Sequence, residues 1–256
     1  MRIGVVIPSR DNTPMLNTCL VSLNVAARKA GVLDNLVIKV IDNGSEFPYE
    51  LHDLSVDVGQ IIRLDKGKSF AAASNLGARS AGEVDFLLFL NNDVFLHPMT
   101  IVEMFNAMRK TKSQIAGTRL VYLDGQIQHA GVLFDERTSI PRHVHHYRHT
   151  HHHPRTLRLW PAVTGAAMIL ESRVFYQLEG FDERYPFGFE DVDFCLRSGQ
   201  AGYLITCSQA TDSVHLSGRS HDQQTNRLLE MSKDIFLKKW IGKVPISKEQ
   251  DFDESW

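Results

Sequence analysis

The sequence predicts an α/β fold built on a doubly wound, mainly parallel β-sheet. In the first half of the 256-residue chain, short apolar runs alternate with longer segments whose apolar residues recur at helical spacing. Such alternation usually produces a parallel sheet, because the connection between two parallel strands is most often a helix. Polar clusters also follow three of the apolar runs, as is typical of strands whose carboxyl ends border a ligand crevice.

The first predicted elements follow the order strand, helix, strand. Residues 3–7 are β-rich and end at Pro8, and residues 15–29 carry apolar side chains on one helical face. Residues 36–41 form a second apolar run, which the turn residues Asp42-Asn43-Gly44-Ser45 close. These segments predict one βαβ unit.

The pattern continues with strand, helix, strand and helix. Residues 60–64 predict a third, short strand, and the small residues of 69–80 predict a helix packed closely on the sheet. Residues 86–90, which read Phe-Leu-Leu-Phe-Leu, predict a fourth strand, and 101–109 a further helix. In the second half we predict strands at 168–170 and 203–206 and helices at 190–196 and 226–243.

The composition favours one globular domain and disfavours several functional classes. A hydrophobic content of 43% is enough for a sizeable core, and a formal net charge of -2 provides no basic field for nucleic acid. Cys19, Cys195 and Cys207 lack metal-ligand spacing and are odd in number, so we expect a reducing cytoplasm and no disulfide framework. The sequence has no apolar run of about 18 residues, and its first apolar run is too short for a signal peptide.

Three polar clusters follow the first, second and fourth predicted strands. They are Pro8-Ser9-Arg10-Asp11-Asn12, Asp42-Asn43-Gly44-Ser45 and Asn91-Asn92-Asp93. Because the carboxyl ends of parallel strands lie at one edge of a sheet, we expect the clusters to converge on one crevice. Asp93 could hold a hard divalent cation there, although Asn-Asn-Asp is also typical of a turn or a helix cap.

Two common phosphate-binding motifs are absent from the sequence. No Gly-x-Gly-x-x-Gly follows the first strand, and no Gly-x-x-x-x-Gly-Lys-Ser/Thr occurs anywhere. The sequence therefore disfavours dinucleotide and phosphate-loop sites. A bound nucleotide would have to be held by side chains and a metal ion.

Eight short segments carry a resemblance to a known enzyme family. They are Val6–Arg10, Val40–Ser45, Phe70–Ala78, Phe89–Asp93, Val163–Ala166, Gly180–Glu183, Phe189–Asp193 and His215. In this order they resemble the family 2 glycosyltransferases, which have a GT-A fold and transfer a sugar from a nucleotide-sugar donor. The resemblance covers about residues 1–240 and is closest to the rhamnosyltransferase-like and galactofuranosyltransferase-like branches, which build bacterial cell-surface polysaccharides.

The resemblance implies one GT-A-like domain over residues 1–256. Its Rossmann-like half, which binds the nucleotide-sugar donor, would end at about residue 110. A mixed half that binds the acceptor and supplies the catalytic base would follow at about 111–243. Residues 244–256 would form a tail.

The resemblance also implies a set of donor-binding residues. Asp42 resembles the family's base-binding aspartate, although it could instead start an Asx-turn. Arg10 would pair with phosphate or stack on the base. The implied nucleotide-sugar contacts are Pro8, Ser9, Arg10, Asp42, Asn75, Asn91, Asn92, Asp93, Gly165 and Arg219.

A divalent cation, Mg²⁺ or Mn²⁺, is the implied cofactor. Asp93 corresponds to the metal-contacting end of the family's D-x-D motif, whose first position is here Asn91, so one negative charge is missing. His215 would be the second protein ligand and would partly compensate for that loss. Without the resemblance, a lone histidine is more often a structural hydrogen-bonding residue.

Three carboxylates, Glu190, Asp191 and Asp193, lie at the start of a predicted helix among phenylalanines. Negative side chains there favour the helix dipole, which is the ordinary interpretation. Apolar surroundings also raise the pKa of a carboxylate toward useful base strength. The resemblance implies that Asp191 is the catalytic base and that Glu190 orients the acceptor or supports the base. Gly165 would allow close approach of a sugar, or would only turn the chain into a buried strand.

We therefore predict an inverting glycosyltransferase that moves a sugar from a UDP- or dTDP-sugar to a hydroxyl of a saccharide or lipid-linked acceptor in cell-surface polysaccharide synthesis. A metal-dependent nucleotidyltransferase is one alternative, but it would usually need a second metal-binding carboxylate and a basic phosphate loop. A catalytically silent nucleotide-sugar-binding module is the other. The presence of Asp191 together with Asp93 and His215 argues against that module.

Two segments leave alternatives open. Seven histidines lie within residues 143–153, which predicts either a solvated loop or a cationic lip for an anionic lipid-diphosphate acceptor. Residues 226–243 are amphipathic, which predicts a helix packed on the domain or a peripheral contact with the inner membrane. We expect a cytoplasmic location, with the inner face of the membrane as the alternative. No oligomeric state is predicted.

Overall fold

The computed structural model of the chain describes residues 1–150, 155–216 and 223–245. The strands are β1 (Ile3–Ser9), β2 (Leu36–Asp42), β3 (Gln60–Arg63), β4 (Phe86–Leu90), β5 (Val94–Phe95), β6 (Ile115–Val121), β7 (Ile127–His129), β8 (Val132–Phe134), β9 (Pro141–His143), β10 (Ala167–Glu171) and β11 (Ile205–His215). The helices are α1 (Thr13–Ala30), α2 (Phe70–Ser80), α3 (Thr100–Thr111), α4 (Ser172–Gln177), α5 (Glu190–Gln200) and α6 (Gln223–Trp240).

Within the described ranges, nine strands form one sheet in the order β3-β2-β1-β4-β10-β6-β11-β5, with β7 paired to β6. Strands β1 to β4 are parallel to one another. Strand β10 is antiparallel to both of its neighbours, whereas β11 is parallel to β6 and antiparallel to β5. The predicted α/β class, with a parallel first half and a mixed second half, is confirmed.

Strand β1 runs two residues beyond its predicted end and includes Pro8. Its pairing with β4 stops at Val6, opposite Phe89, whereas its pairing with β2 continues to Ser9, opposite Asp42. Proline has no backbone N–H, but beyond Val6 the strand has a neighbour on one side only. The sheet therefore accommodates Pro8.

The largest difference from prediction is β11, which was expected to end at residue 206 and continues to His215. Polar residues from Ser208 to Ser213 interrupt its apolar pattern, and its register with β6 shifts between them. The side chains there find partners inside the protein: Gln209 donates to the carbonyl of Ala130 over 2.7 Å. A polar strand can be buried in this way only where tertiary partners exist, so its sequence did not predict it.

Two apolar clusters cover the two faces of the sheet. Val5 and Ile7 of β1 pack with Leu16 of α1 on one face, whereas Val6 packs on the other. Gly77 of α2 lies directly against that second face, where a Cβ atom would come within 2.3 Å of Val6 Cγ1. This approach requires glycine and confirms the close packing predicted for the small-residue helix.

Helix α6 packs on the domain, as one alternative predicts. Ser232, Phe236 and Trp240 are its buried residues. Contact of this helix with a membrane stays a prediction. Among the described residues, no helix is long and apolar enough to cross a membrane. Most of the predicted tail, residues 246–256, lies outside the described ranges.

Candidate active site

The parallel order of β2, β1 and β4 brings the three polar clusters to one edge of the sheet. Asn43 donates its backbone N–H to the carbonyl of Ser9 over 2.8 Å, which joins the first two clusters. Asn92 donates from Nδ2 to the hydroxyl of Ser9 over 2.8 Å, which joins the third. The hydroxyl of Tyr49 lies 2.9 Å from the hydroxyl oxygen of Ser9. The expected convergence of the three clusters at one edge of the sheet is therefore observed.

Asp42 is fully buried beneath this edge, and its carboxylate holds the loop that follows β2. Its Oδ2 accepts from Arg63 Nη1 over 2.6 Å, and its Oδ1 accepts from the backbone of Ser45 over 3.0 Å. Burial acts to raise the pKa of Asp42, but hydrogen bonds from Ser45, Arg63 and Tyr49 outweigh it and lower that pKa. These contacts give Asp42 a structural role in the turn after β2, with its bond to Ser45 spanning three residues and not the two of an Asx-turn. A contact of Asp42 with a nucleobase stays a prediction.

Arg10 extends from the end of β1 into solvent. Its side chain is 62% exposed, and its Nε donates to Asp11 Oδ2 over 3.0 Å. The loop of Lys66 to Lys68 lies beside it, because a Cβ on Gly67 would come within 3.3 Å of Arg10 Nη1. Both lysines are exposed. The basic residues Arg10, Lys66 and Lys68 therefore lie exposed at the sheet edge where the three clusters meet.

The side-chain amide of Asn75 is hydrogen-bonded within the protein. It is 4% exposed, and its Nδ2 donates to the carbonyl of Phe181 and to Oε1 of Glu183, each over 2.9 Å. Its Oδ1 accepts the backbone N–H of Phe181 over 2.9 Å. The prediction for Asn75 is thus corrected. Asn75 fastens the loop of residues 180–183 to α2, and both of its amide hydrogens are used within the protein, so they are not available to bind a nucleotide sugar.

The pairing of β11 with β5 brings His215 beside Asp93. In this antiparallel pair His215 lies opposite Val94, the residue that follows Asp93. Nε2 of His215 is 3.2 Å from Oδ1 of Asp93 and 3.4 Å from Nδ2 of Asn91. The structure therefore brings together the residues predicted to hold a metal ion.

The second ring nitrogen of His215 determines what the first can bind. Nδ1 lies 2.5 Å from Oε1 of Gln128, an acceptor, so Nδ1 carries a proton. In a neutral ring, the lone pair of Nε2 then lies beside the negatively charged Asp93 carboxylate. A cation between these two groups would stabilise them, because it is attracted to both. One carboxylate oxygen and one imidazole nitrogen are ligand types that divalent cations use in proteins. In the described ranges, no group of three Cys, His, Asp or Glu residues could form a metal site.

Asp191 lies at the start of α5, next to the segment that precedes β10. Its Oδ2 accepts the backbone N–H of Gly165 over 2.7 Å, and its Oδ1 accepts that of Val192 over 2.8 Å. A Cβ on Gly165 would lie 3.1 Å from Asp191 Cβ, so glycine allows this approach. Ala166 in turn accepts the backbone N–H of Asn91 over 2.8 Å. Asp191 is thereby joined to the strand end that carries Asp93.

A cavity of about 260 Å³ lies beside Asp191. Burial raises the pKa of this carboxyl, although hydrogen bonds from Gly165, Val192 and Thr164 oppose the shift. Polar and apolar groups share the wall. Among them are Val132, Arg142, His143, Thr164, Phe189 and Leu229. The arrangement places a carboxyl group of raised pKa next to a space that can hold a small molecule.

Residues 4–178 match the model of the family described as Glycosyl transferase family 2. The chain belongs to glycosyl transferase family 2. The predicted family is therefore confirmed. This membership removes support from the nucleotidyltransferase alternative.

Two relatives of this family 2 chain share 28% sequence identity with it. One is the O-antigen biosynthesis protein RfbC of Myxococcus xanthus, matched over 225 residues that make up 84% of this chain and 17% of the relative. The other is the uncharacterized protein y4gI of Sinorhizobium fredii, matched over 248 residues, or 91% of this chain and 26% of the relative. The chain therefore spans only a minor part of the relatives that it matches.

A solved structure confirms the predicted GT-A fold of the family 2 chain. It is the crystal structure of GalNAc-T7 with UDP, GalNAc and Mn²⁺, which matches with a TM-score of 0.62 at 15% identity. The match covers 99% of this chain and 53% of the other. At this identity the likeness concerns the fold alone.

Glu190 is buried next to Asp191 in the family 2 chain. Its side chain is 5% exposed, and within the described part of the chain no group hydrogen-bonds its Oε2. Burial and the neighbouring charge of Asp191 raise the pKa of Glu190 to about 8. At neutral pH Glu190 is therefore mostly protonated, which leaves Asp191 to carry the negative charge of the pair.

Replacing Glu190 with glutamine is expected to remove a pH-dependent loss of stability. The pKa of about 8 in the folded chain lies above the reference value of 4.5, so the parent loses stability as pH rises between those values. Glu190→Gln should match the parent near pH 4.5 and unfold at least about 3 °C higher at pH 8. Thermal unfolding at both pH values measures this, with the exposed Glu136→Gln as control. The same temperature difference at both pH values would contradict the raised pKa.

Within the described part of the histidine-rich tract, His143 and His149 are exposed, but the residues between them do not form a fully solvated loop. His145 is 6% exposed, and the ring of His146 stacks on Tyr147 with centroids 3.9 Å apart. The protein around the His143 ring and the neighbouring histidines lower the pKa of His143 to about 4, and burial lowers the pKa of His146. These two rings are neutral near pH 6, so they do not supply the predicted cationic lip. His151, His152 and His153 lie outside the described residues, as does Arg219.

Three polar residues near the site escaped prediction. Tyr49 accepts the backbone N–H of Asn12 as well as contacting Ser9. Gln128 orients His215, and His129 contacts the neighbouring Thr164. Each is a single residue outside any motif, and its partner becomes visible only once the strands are paired.

Proposed function

We propose that the chain transfers a sugar, with inversion, from a UDP- or dTDP-sugar to a hydroxyl of a saccharide or lipid-linked saccharide. The observation that carries this proposal is the position of Asp191, which borders a cavity and is joined through Gly165 and Ala166 to the Asn91–Asp93 strand end. Family membership supports the reaction class. The name of the Myxococcus xanthus relative supports a role in polysaccharide synthesis.

Asp191 removes the proton from the attacking hydroxyl. Each of its oxygens accepts a backbone hydrogen bond, which orients the carboxylate. The raised pKa brings its basicity closer to neutral pH, where a general base is most effective. Direct attack by the activated hydroxyl inverts the anomeric carbon and requires no covalent sugar intermediate.

The basic residues Arg10, Lys66 and Lys68 bind the nucleoside diphosphate in this proposal. All three are exposed at the edge where the clusters meet. Arginine can pair with phosphate through two donors, whereas lysine acts as a point charge. Ser9, Asn92 and Pro8 line the same edge.

Asp93 and His215 would hold a divalent cation next to that diphosphate. When bound, the cation neutralises charge that develops on the departing diphosphate. Gln128 keeps the Nε2 lone pair of His215 turned toward Asp93. Asn91, at the position of the missing carboxylate, stays within contact distance of His215.

Replacing Asp93 with asparagine is expected to weaken cation-dependent nucleotide binding by about a hundredfold, because it removes a charged metal ligand. Titration calorimetry of UDP and dTDP, each with Mn²⁺ and with EDTA, measures this effect. In EDTA the variant and the parent should bind alike. Asp34→Asn, at an exposed position, is the matched control. Unchanged Mn²⁺-dependent binding by Asp93→Asn would contradict the assignment.

A panel of nucleotide sugars tests the function as a whole. Each donor is incubated with the chain, Mn²⁺ and a mixture of methyl glycosides, and released nucleoside diphosphate is measured together with new glycoside. We expect one donor to be consumed with matching product. Binding of a donor without turnover across the panel would instead support the silent module.

A further inference from the structure

Two histidines and a backbone amide form a chain of hydrogen bonds that ends at the cavity beside Asp191. Thr164 donates its backbone N–H to Nε2 of His129 over 3.4 Å. Nδ1 of His129 lies 2.9 Å from Nδ1 of His143. His129 is 1% exposed, whereas His143 is exposed and lines the cavity. The order is therefore Thr164, His129, His143 and then the cavity.

This order determines where each ring carries its proton. His129 accepts at Nε2, so a neutral His129 must carry its proton on Nδ1 and donate it to His143. His143 then accepts at Nδ1, and a neutral His143 must carry its own proton on Nε2. The thiol of Cys207, 3.9 Å from Nε2 of His129, agrees with an acceptor at that nitrogen.

Both rings are neutral at physiological pH. Burial and the nearby His143 hold the pKa of His129 well below its ordinary value. The pKa of His143 is about 4, because of the protein around it and the neighbouring His146 and His215. In the described ranges, Nε2 of His143 has no hydrogen-bond partner within the protein. It is therefore a fixed, uncharged donor at the cavity wall.

Among the polar residues of the partly apolar cavity wall, which include Arg142 and Thr164, Asp191 and His143 are complementary. Asp191 accepts a hydrogen bond, whereas His143 donates one. Val132, Phe189 and Leu229 supply apolar surface around them. Phe189 adopts a left-handed backbone with φ of 70°, an unfavourable conformation for a bulky residue that is often found at functional sites.

We propose that His143 is an acceptor-positioning residue, whose Nε2–H donates to the oxygen of the hydroxyl adjacent to the one that Asp191 deprotonates. The acceptor class is therefore a saccharide with a vicinal diol at the site of transfer. This inference rests on the proposed glycosyl transfer. A neutral donor suits the task, because it orients the diol without competing with Asp191 as a base.

Long-range ¹H–¹⁵N NMR of histidine-labelled protein tests the tautomers without any substrate. We expect the Nε2–H form for His143 and the Nδ1–H form for His129 at pH 7. The Nδ1–H form for His143 would overturn the proposal. This measurement does not depend on whether the chain turns over a donor.

Kinetics test the contact itself, using the donor and methyl glycoside found in the panel together with the monodeoxy analogues of that glycoside. His143→Phe should lower kcat/KM about tenfold on the full acceptor, and His143→Gln, which keeps an N–H donor, should restore most of it. On the analogue that lacks the adjacent hydroxyl, parent and His143→Phe should be equal. His149→Phe, at an exposed position of the same tract, should match the parent.

The outcomes separate the two proposals. Equal losses by His143→Phe on the full acceptor and on every deoxy analogue would overturn the contact while leaving glycosyl transfer intact. Normal kinetics of His143→Phe on the full acceptor would do the same. Absence of turnover by the parent would instead overturn the proposed function, whatever tautomer His143 shows.

Discussion

Asp191→Asn is expected to reduce sugar transfer by about 10³-fold, because the amide cannot take the proton of the acceptor hydroxyl. The side chain borders the cavity, and backbone N–H groups of Gly165 and Val192 hold it in one orientation. The loss should appear in kcat with little change in donor affinity, since the proposed nucleotide contacts lie at the ends of β1, β2 and β4. Initial rates with the identified donor and acceptor, together with titration of the donor, measure both quantities.

Two controls separate this effect from misfolding. Asp34→Asn makes the same chemical change at an exposed position and should leave the rate unchanged. The thermal unfolding temperature of Asp191→Asn should stay close enough to that of the parent for the variant to be folded under assay conditions. Near-normal transfer by folded Asp191→Asn would show that another group is the base.

Asp193→Ala is expected to lower the free energy of unfolding by about 3–5 kcal/mol, because it removes one partner of a buried ionic network. Asp193 is fully buried, with Oδ2 accepting from Arg197 Nε over 2.8 Å and Oδ1 lying 2.6 Å from Lys239 Nζ. Oδ1 also accepts from Trp240 Nε1 over 2.7 Å and from the hydroxyl of Tyr185 over 3.1 Å. The carboxylate therefore ties α6 to α5. Its loss leaves Trp240 Nε1 and the Tyr185 hydroxyl without this acceptor, whereas Arg197 still donates to the carbonyls of Leu178 and Gly180 and Lys239 still pairs with Asp182.

Urea denaturation followed by circular dichroism measures this change. Asp234→Ala is the matched control, since it removes an exposed carboxylate from α6 itself. It should cost less than about 0.5 kcal/mol. A loss below about 1 kcal/mol for Asp193→Ala would mean that α6 is held mainly by its apolar contacts through Phe236 and Trp240.

The fold was predictable where local pattern and tertiary environment agree. Residues 86–90 form an apolar run that becomes β4 without change, because this central strand is covered by apolar residues on both faces of the sheet. The full length of strand β11 was not predictable, since the polar stretch between Ser208 and Ser213 is buried only through partners such as Ala130. Its strand conformation depends on pairing with β6, which a local sequence pattern does not show.

The site residues likewise include some that the sequence predicts and others that only tertiary contacts reveal. The strand-end clusters were predictable, because parallel topology alone brings Ser9, Asp42 and Asn92 together. The resemblance supplied His215, which the pairing of β11 with β5 then places beside Asp93. Asn75 was predicted to bind the nucleotide sugar, but its amide instead donates hydrogen bonds to Phe181 and Glu183. Composition and spacing do not show which polar residues have their hydrogen bonds satisfied inside the protein.

The anomeric configuration of the product tests the central claim most directly. If Asp191 activates the acceptor hydroxyl for direct attack, ¹H NMR of the new glycoside should show a configuration opposite to that of the nucleotide sugar. The product should form at the parent's rate with Asp34→Asn and be nearly absent with Asp191→Asn. A product of retained configuration would contradict direct displacement and the role proposed for Asp191.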